Sequence, residues 1–143
     1  MVVELNRLLD LVVEKKASDL HLTVGMPPTI RLHGHLRPLK LPTLTNEDTV
    51  AFMRSITSER HQQELKERCG CDFGFAYGDA ARFRVSVFKQ RGDIAICCRQ
   101  IPRKLLTFEV IGLPEICREL IRRPRGLILV TGPTGSGKTT TLA

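Results

Sequence analysis

The spacing of apolar residues changes along the chain, and each change predicts an element. The first apolar stripe falls at helical spacing and predicts an amphipathic helix over residues 2–16. Its members are Leu5, Leu8, Leu9, Val12 and Val13. Residues 19–24 then alternate with a period of two, which is typical of a strand with one buried face. The chain therefore begins with a helix followed by a half-buried strand.

A short hairpin and two helices are predicted next. Residues 30–32 and 36–39 are interpreted as strands on either side of a turn at residues 33–35. Thr45 and Asp48 have the spacing of a capping box, which predicts a helix that begins beside Thr45. A second, mostly polar helix is predicted over roughly residues 59–68, and its charges are interpreted as a solvated face.

Alternation with a period of two returns after Cys71 in three segments separated by glycine-containing turns. These segments, residues 72–77, 82–88 and 94–101, predict an antiparallel meander. The middle segment has an apolar side and a largely cationic side. Phe83, Val85 and Val87 share the first, and Arg82, Arg84 and Ser86 share the second. One face of this sheet is therefore predicted as core and the other as a basic surface.

The remaining pattern predicts the start of a second domain. Residues 103–112 interrupt the alternation and are interpreted as a linker. A helix is predicted to begin near Pro114, and the apolar run at residues 127–130 is predicted as a strand. The expected fold is an α+β domain over residues 1–102, with an antiparallel sheet and flanking helices. Residues 113–143 would then form the first helix, strand and phosphate loop of an α/β domain.

The chain ends in a phosphate-loop motif of the form G-x-x-x-x-G-K-[ST]. The predicted nucleotide-binding residues are Gly132, Pro133, Thr134, Gly135, Ser136, Gly137, Lys138, Thr139 and Thr140. The glycines allow the backbone N–H groups to turn toward phosphate oxygens. Lys138 is predicted to reach the β- and γ-phosphates, and the Thr139 hydroxyl is predicted to bind Mg²⁺. A helix that begins at about Gly137 would present its positive end to the same anion.

Composition narrows the functional classes. The net charge of +7 raises nucleic acid as a partner, but aromatic residues make up only 5% of the chain and Trp is absent. No apolar run approaches the roughly 18 residues of a membrane span, and no signal-peptide pattern opens the chain. The five cysteines lack zinc-site or disulfide-framework spacing and are interpreted as reduced structural thiols. We therefore expect a cytoplasmic protein without a nucleic-acid partner.

Several stretches, in order, resemble one protein family. They are residues 17–22 (ASDLHL), 25–28 (GMPP), 81–85 (ARFRV), Arg99 with Ile101 and Pro102, and residues 124–143. Together these stretches are similar to the type IV pilus retraction ATPases, a branch of the type II/IV secretion ATPases. The resemblance extends over nearly the whole chain.

The resemblance implies a PAS-like domain over residues 1–102, the linker 103–112 and the truncated start of a RecA-like ATPase core over 113–143. It implies a homohexamer that couples hydrolysis of ATP, with Mg²⁺, to pilus retraction in twitching motility. It further implies a cytoplasmic location peripheral to the inner membrane, and contact with an inner-membrane platform protein. Arg84 and Arg99 match the two arginines that reach the nucleotide phosphates, and with Lys138 they are the expected catalytic residues.

Two alternatives stay open at the level of sequence. The chain also fits a pilus-assembly or type II secretion ATPase of the same superfamily. As an isolated piece it also fits a non-catalytic PAS-like module that binds a ligand or a partner. We expect the 143-residue chain alone to be inactive, because a phosphate loop is built on a parallel sheet that one strand cannot supply. The remaining catalytic motifs of the family are expected beyond Ala143.

Overall fold

The computed structural model describes residues 4–79, 81–101, 106–133 and 136–142. The chain divides into two compact units, Met1–Pro102 and Arg103–Ala143. In the described part of both units, no helix is long and apolar enough to cross a lipid bilayer.

The first unit is built on a six-stranded sheet with the order β3-β2-β1-β6-β5-β4, in which every neighbouring pair is antiparallel. The strands are β1 (Asp19–Leu22), β2 (Thr29–Leu32), β3 (His35–Pro38), β4 (Gly70–Tyr77), β5 (Ala81–Gln90) and β6 (Asp93–Ile101). The helices are α1 (Leu5–Glu14), α2 (Asn46–Ile56) and α3 (Glu59–Arg68). This antiparallel sheet with flanking helices confirms the fold predicted for residues 1–102 at that level.

The core lies on one face of the sheet. Phe83, Val85 and Val87 alternate along β5 and are at most 1% exposed. Helix α2 packs against β6, α3 packs against β4, and α1 contributes Leu9 and Val12 to the same cluster. Burying each of these large apolar side chains stabilises the fold by about 1.5–3 kcal/mol. The opposite face is thereby left to the polar side chains that alternate with the core positions.

Most predicted elements of this unit are confirmed, with ends that move by a few residues. The helix predicted over residues 2–16 is α1, although residues 1–3 lie outside the described part. The predicted capping box is present: the Asp48 carboxylate accepts from the Thr45 N–H at 2.8 Å, and the Thr45 hydroxyl accepts from the Asp48 N–H. The hairpin of β2 and β3 and the meander of β4, β5 and β6 are also observed.

The described residues of the second unit form three short helices, α4 (Phe108–Ile111), α5 (Ile116–Leu120) and α6 (Lys138–Leu142). Helix α4 lies within residues 103–112, the segment predicted as a linker, of which residues 103–105 lie outside the described part. The missed signals are an N-cap and a C-cap: the Thr107 side chain accepts from the Val110 N–H, and Gly112 ends the helix with φ of +76°.

The strand predicted at residues 127–130 is wrong. These residues form no sheet ladder in the structure, and Leu127 and Leu129 are 83% and 74% exposed. A strand is completed by hydrogen bonds to a neighbouring strand, and no described segment of this unit provides one. An apolar run alone does not decide whether a strand forms, because a strand also requires a neighbour to pair with.

Candidate functional site

Four charged residues form a row across the face of the sheet opposite the core. Asp19 on β1 is paired in register with Arg31 on β2 and with Arg99 on β6. Arg99 is in turn paired with Arg84 on β5. Because directly paired residues of antiparallel strands point to the same face, the row runs continuously across four strands. We call Arg31, Asp19, Arg99 and Arg84 the charged row.

The two arginines predicted as site residues are brought side by side. Arg84 and Arg99 have side chains that are 66% and 67% exposed. They line an open cleft of about 260 Å³ together with Asp72, Ser86 and Cys97. Two neighbouring guanidinium groups offer planar, charged donors for an oxyanion. The cleft is therefore suited to binding phosphate or carboxylate oxygens.

Different acids hold the two arginines. The Arg84 Nε lies 3.7 Å from a carboxylate oxygen of Asp72, which is itself 56% exposed and also accepts from the Ser86 hydroxyl. The Arg99 Nε donates to Asp19 Oδ1 at 2.9 Å, and the Asp19 side chain is only 5% exposed. A solvated ion pair at 3.7 Å fixes a side chain weakly, whereas a short bond to a buried carboxylate fixes it firmly.

Asp19 is the residue of this face that the sequence analysis missed. Burial alone would raise the pKa of its carboxyl group. Hydrogen bonds from Arg99 and Ser18, with the positive charges of Arg99 and Arg31, outweigh that effect and lower the pKa below its ordinary value. The hydrogen bond to Asp19 and its negative charge correspondingly raise the pKa of Arg99. At neutral pH this site therefore contains a charged carboxylate between two charged guanidinium groups.

The row beside the charged row contains His21 and Cys97, and the pKa shifts of both favour their neutral forms. His21 on β1 is paired in register with Cys97 on β6, and Cys97 with Ser86 on β5. Burial lowers the pKa of His21, and the charges of Arg31 and Arg99 lower it further against the opposing effect of Asp19. Burial also raises the pKa of the Cys97 thiol. Among the described residues, no three potential metal-ligating side chains come together.

The phosphate-loop motif lies in the second unit, where its lysine folds back onto the loop. The Lys138 ammonium donates to the carbonyl oxygens of Gly132 and Pro133 at 2.9 and 2.7 Å. Gly132 has φ of +153°, and a Cβ atom there would lie 2.7 Å from the Ser136 hydroxyl oxygen. Gly137, with φ of +88°, precedes helix α6, which begins at Lys138, close to the predicted start.

Thr134 and Gly135 lie outside the described residues, and so does the side chain of Thr139. Thr140 is exposed in α6. The described part nevertheless brings the Gly132 backbone, Ser136 and the Lys138 ammonium close together. The loop thus places the carbonyl acceptors of Gly132 and Pro133 around a single cation.

Comparison with known proteins finds relatives that match both units of the chain. The family described as type II/IV secretion system protein matches residues 1–143. The chain is 41% identical over 141 residues to the Pseudomonas aeruginosa protein named type IV pilus retractation ATPase PilT. It is 36% identical over 141 residues to type IV pilus ATPase PilU of the same organism. Each alignment covers 99% of this chain, but only 41% and 37% of those relatives.

A solved structure resembles the whole chain. A crystal structure of the pilus retraction motor PilT with bound ADP superposes with a TM-score of 0.85 and 45% sequence identity. The match covers 98% of this chain and 41% of that one. The chain thus spans about two fifths of the length of the proteins it matches.

Proposed function

Because the chain belongs to the type II/IV secretion system protein family, we propose that the full-length protein is a motor ATPase that retracts type IV pili. The proposal follows the 41% identity to PilT and the similarity to a PilT structure that contains ADP. The observation that carries it is the loop that folds around Lys138 at a phosphate-binding motif. The proposed substrate is ATP, with Mg²⁺ as its metal ion.

The loop residues fit a nucleotide. The Lys138 ammonium already satisfies two carbonyl oxygens and keeps one N–H for another acceptor. In the proposed site Gly132 and Gly137 offer backbone N–H groups, and Ser136 offers its N–H in exchange for its present bond to the Pro133 carbonyl. Lys138 binds the β- and γ-phosphate oxygens, and Thr139 holds Mg²⁺. Bound ATP supplies the phosphoryl group whose transfer to water releases the energy of the cycle.

The arginine pair completes the proposed site from the first unit. Arg84 and Arg99 are exposed on one open face, and their neighbouring guanidinium groups neutralise negative charge on phosphate oxygens. Their approach to the nucleotide is a proposed domain closure. Closure favoured by the γ-phosphate and released after hydrolysis would produce the mechanical stroke.

The proposed domain organisation follows the same family. Residues 1–102 correspond to a PAS-like domain, residues 103–112 to a connection that includes α4, and residues 113–143 to the start of a RecA-like core. We infer a homohexamer in the cytoplasm, peripheral to the inner membrane and in contact with a platform protein there. The 143-residue chain by itself is proposed not to hydrolyse ATP, because residues 127–130 lack a paired strand on which the loop would be built.

Substitution of Lys138 tests the loop directly. In the full-length protein, Lys138→Ala should abolish measurable ATP turnover, since the cation that binds the transferred phosphoryl group is removed. Lys66→Ala, at an exposed position of α3, is the matched control and should retain normal turnover. Normal turnover by Lys138→Ala would exclude the proposed site.

A cellular assay separates retraction from assembly. A deletion strain that carries long, immobile pili supports a retraction motor. A strain without pili would instead indicate a pilus-assembly ATPase of the same family.

A further inference from the structure

We propose that Asp19 is a positioning residue for Arg99, which it holds by the Nε so that the terminal nitrogens remain available for a phosphate oxygen. This inference rests on the proposed function, in which Arg99 binds the nucleotide. Asp19 itself would touch no substrate. Its contribution would act entirely through the guanidinium group that it holds.

The hydrogen bonds of Arg99 support this assignment, in which Nε binds Asp19 and the terminal nitrogens bind the phosphate. Arg99 contacts Asp19 through Nε alone, and its side chain is 67% exposed. An arginine has five N–H donors, so one bond to Nε leaves the four donors of the two terminal nitrogens. Those four donors form the fork that binds a phosphate through two parallel hydrogen bonds. Asp19 thus restrains Arg99 without occupying its binding end.

Arg31 is held differently on the other side of the same carboxylate. Its Nε donates to Asp19 Oδ2 at 3.1 Å, and its terminal nitrogen donates to the Gly34 carbonyl at 3.0 Å. Its side chain is 35% exposed, about half the exposed fraction of Arg99. Arg31 is therefore engaged at both ends of its guanidinium group. Of the two arginines that contact Asp19, Arg31 therefore stabilises the fold, whereas the terminal nitrogens of Arg99 are available to a ligand.

The position of Asp19 makes it a rigid support. Its side chain is 5% exposed, lies directly opposite Arg99 in the strand register, and also accepts from the Ser18 hydroxyl at 2.8 Å. A short side chain held by three donors has little freedom to follow a moving arginine. Restraining a long side chain before binding reduces the conformational entropy that binding would cost.

The charges of the row favour an anion despite the buried acid. One carboxylate is shared between Arg31 and Arg99, so the three groups together carry one net positive charge. Arg84 adds another cation on the neighbouring strand, and the exposed Asp72 beside it offsets that charge, so the face keeps a net positive charge. Asp19 therefore orients Arg99 without cancelling the attraction of this face for phosphate.

A double-mutant cycle in the full-length protein tests the inference. Asp19→Asn keeps the shape of the side chain but removes its charge, and should lower kcat/KM for ATP roughly 10-fold. Arg99→Ala should cause a larger loss, roughly 100-fold. Adding Asp19→Asn to Arg99→Ala should change nothing further, because the residue through which Asp19 acts is already gone. A purely structural role would lower activity in both backgrounds.

Two further variants make the result decisive. Arg37→Gln removes an exposed arginine of β3 that lies outside the charged row, so it serves as the control and should keep kcat/KM within about twofold of wild type. If Asp19→Asn does not fold, Asp19→Glu retains the charge, displaces the carboxylate by one methylene and should reproduce the loss only when Arg99 is present.

The possible failures are distinguishable. Normal turnover by Arg99→Ala would refute the nucleotide-binding role of Arg99, and with it the proposal for Asp19. A loss in Arg99→Ala with normal kcat/KM in the folded Asp19 variant would overturn the positioning role alone. An equal loss on adding the Asp19 substitution to Arg99→Ala would also overturn it.

Discussion

Arg84 and Arg99 lie directly opposite each other on β5 and β6, and only Arg99 is bound to a buried carboxylate. The hairpin between the two strands is what brings these residues together on one face. Arg84, whose ion-pair partner among the described residues is the exposed Asp72, keeps more rotamer freedom than Arg99. The pair therefore combines a fixed cation with an adaptable one at the mouth of the same cleft.

His21 should make the stability of the first unit sensitive to mild acid. Burial, assisted by the charges of Arg31 and Arg99, lowers the pKa of folded His21 below its ordinary value of 6.5. The unfolded chain then binds a proton more readily than the folded chain once the pH falls below that value. Stability should be complete above pH 6.5 and decline as the pH falls toward the lower pKa of folded His21.

Thermal melting between about pH 8 and about pH 5 measures this effect. His21→Gln cannot be protonated in this range, so its melting temperature should fall less on acidification than that of the wild type. His35→Gln changes an exposed residue of β3 and should leave the pH dependence as it is. An unchanged pH dependence in His21→Gln would show that another group is responsible.

The five cysteines should differ strongly in reactivity toward a thiolate-selective reagent such as iodoacetamide. Cys98 is 1% exposed, and burial, with the neighbouring Cys97, raises its pKa to about 12. Burial raises the pKa of Cys71 and Cys97 as well. Cys69 is exposed at the end of α3, so it should be modified first, and Cys98 last.

Mass spectrometry of partly alkylated protein gives this order. In denaturant the five thiols should react at similar rates, which is the control for intrinsic reactivity. All five thiols are free in the structure. Early modification of Cys98 under native conditions would contradict the described packing of β6.

Two phenylalanines of β5 provide a matched test of the core. Phe83 is fully buried, so Phe83→Ala should lower the free energy of unfolding by about 3–5 kcal/mol. Phe88 is 39% exposed near the end of the same strand, and Phe88→Ala should cost roughly 1 kcal/mol or less. Chemical denaturation followed by circular dichroism measures both. Equal losses would mean that the two faces of the sheet are not distinguished as described.

Local periodicity explains why most elements of the first unit were predictable. The alternation along β5 separated the core positions from Arg82 and Arg84, and α3 has the bounds that its polar pattern predicted. These features depend on residues close in sequence. The family resemblance singled out Arg84 and Arg99, and the predicted meander already placed them on neighbouring strands.

The contacts of Asp19 could not be predicted from local periodicity. They depend on the pairing of β1 with β6, which joins residues separated by most of the first unit. Alternation places Asp19 on the polar face but cannot identify its neighbours across the strands. The strand predicted at residues 127–130 failed for the related reason that periodicity describes one strand, whereas a sheet requires a partner.

The most direct test of the proposed site is steady-state ATP turnover by the full-length protein with both arginines replaced. The double variant Arg84→Ala/Arg99→Ala removes the two cations of the cleft, while Arg37→Ala removes an exposed arginine of the edge strand β3 and serves as the control. The account predicts a fall in kcat/KM of at least roughly 100-fold for the double variant, with wild-type values for the control. Wild-type turnover by a folded double variant would contradict it.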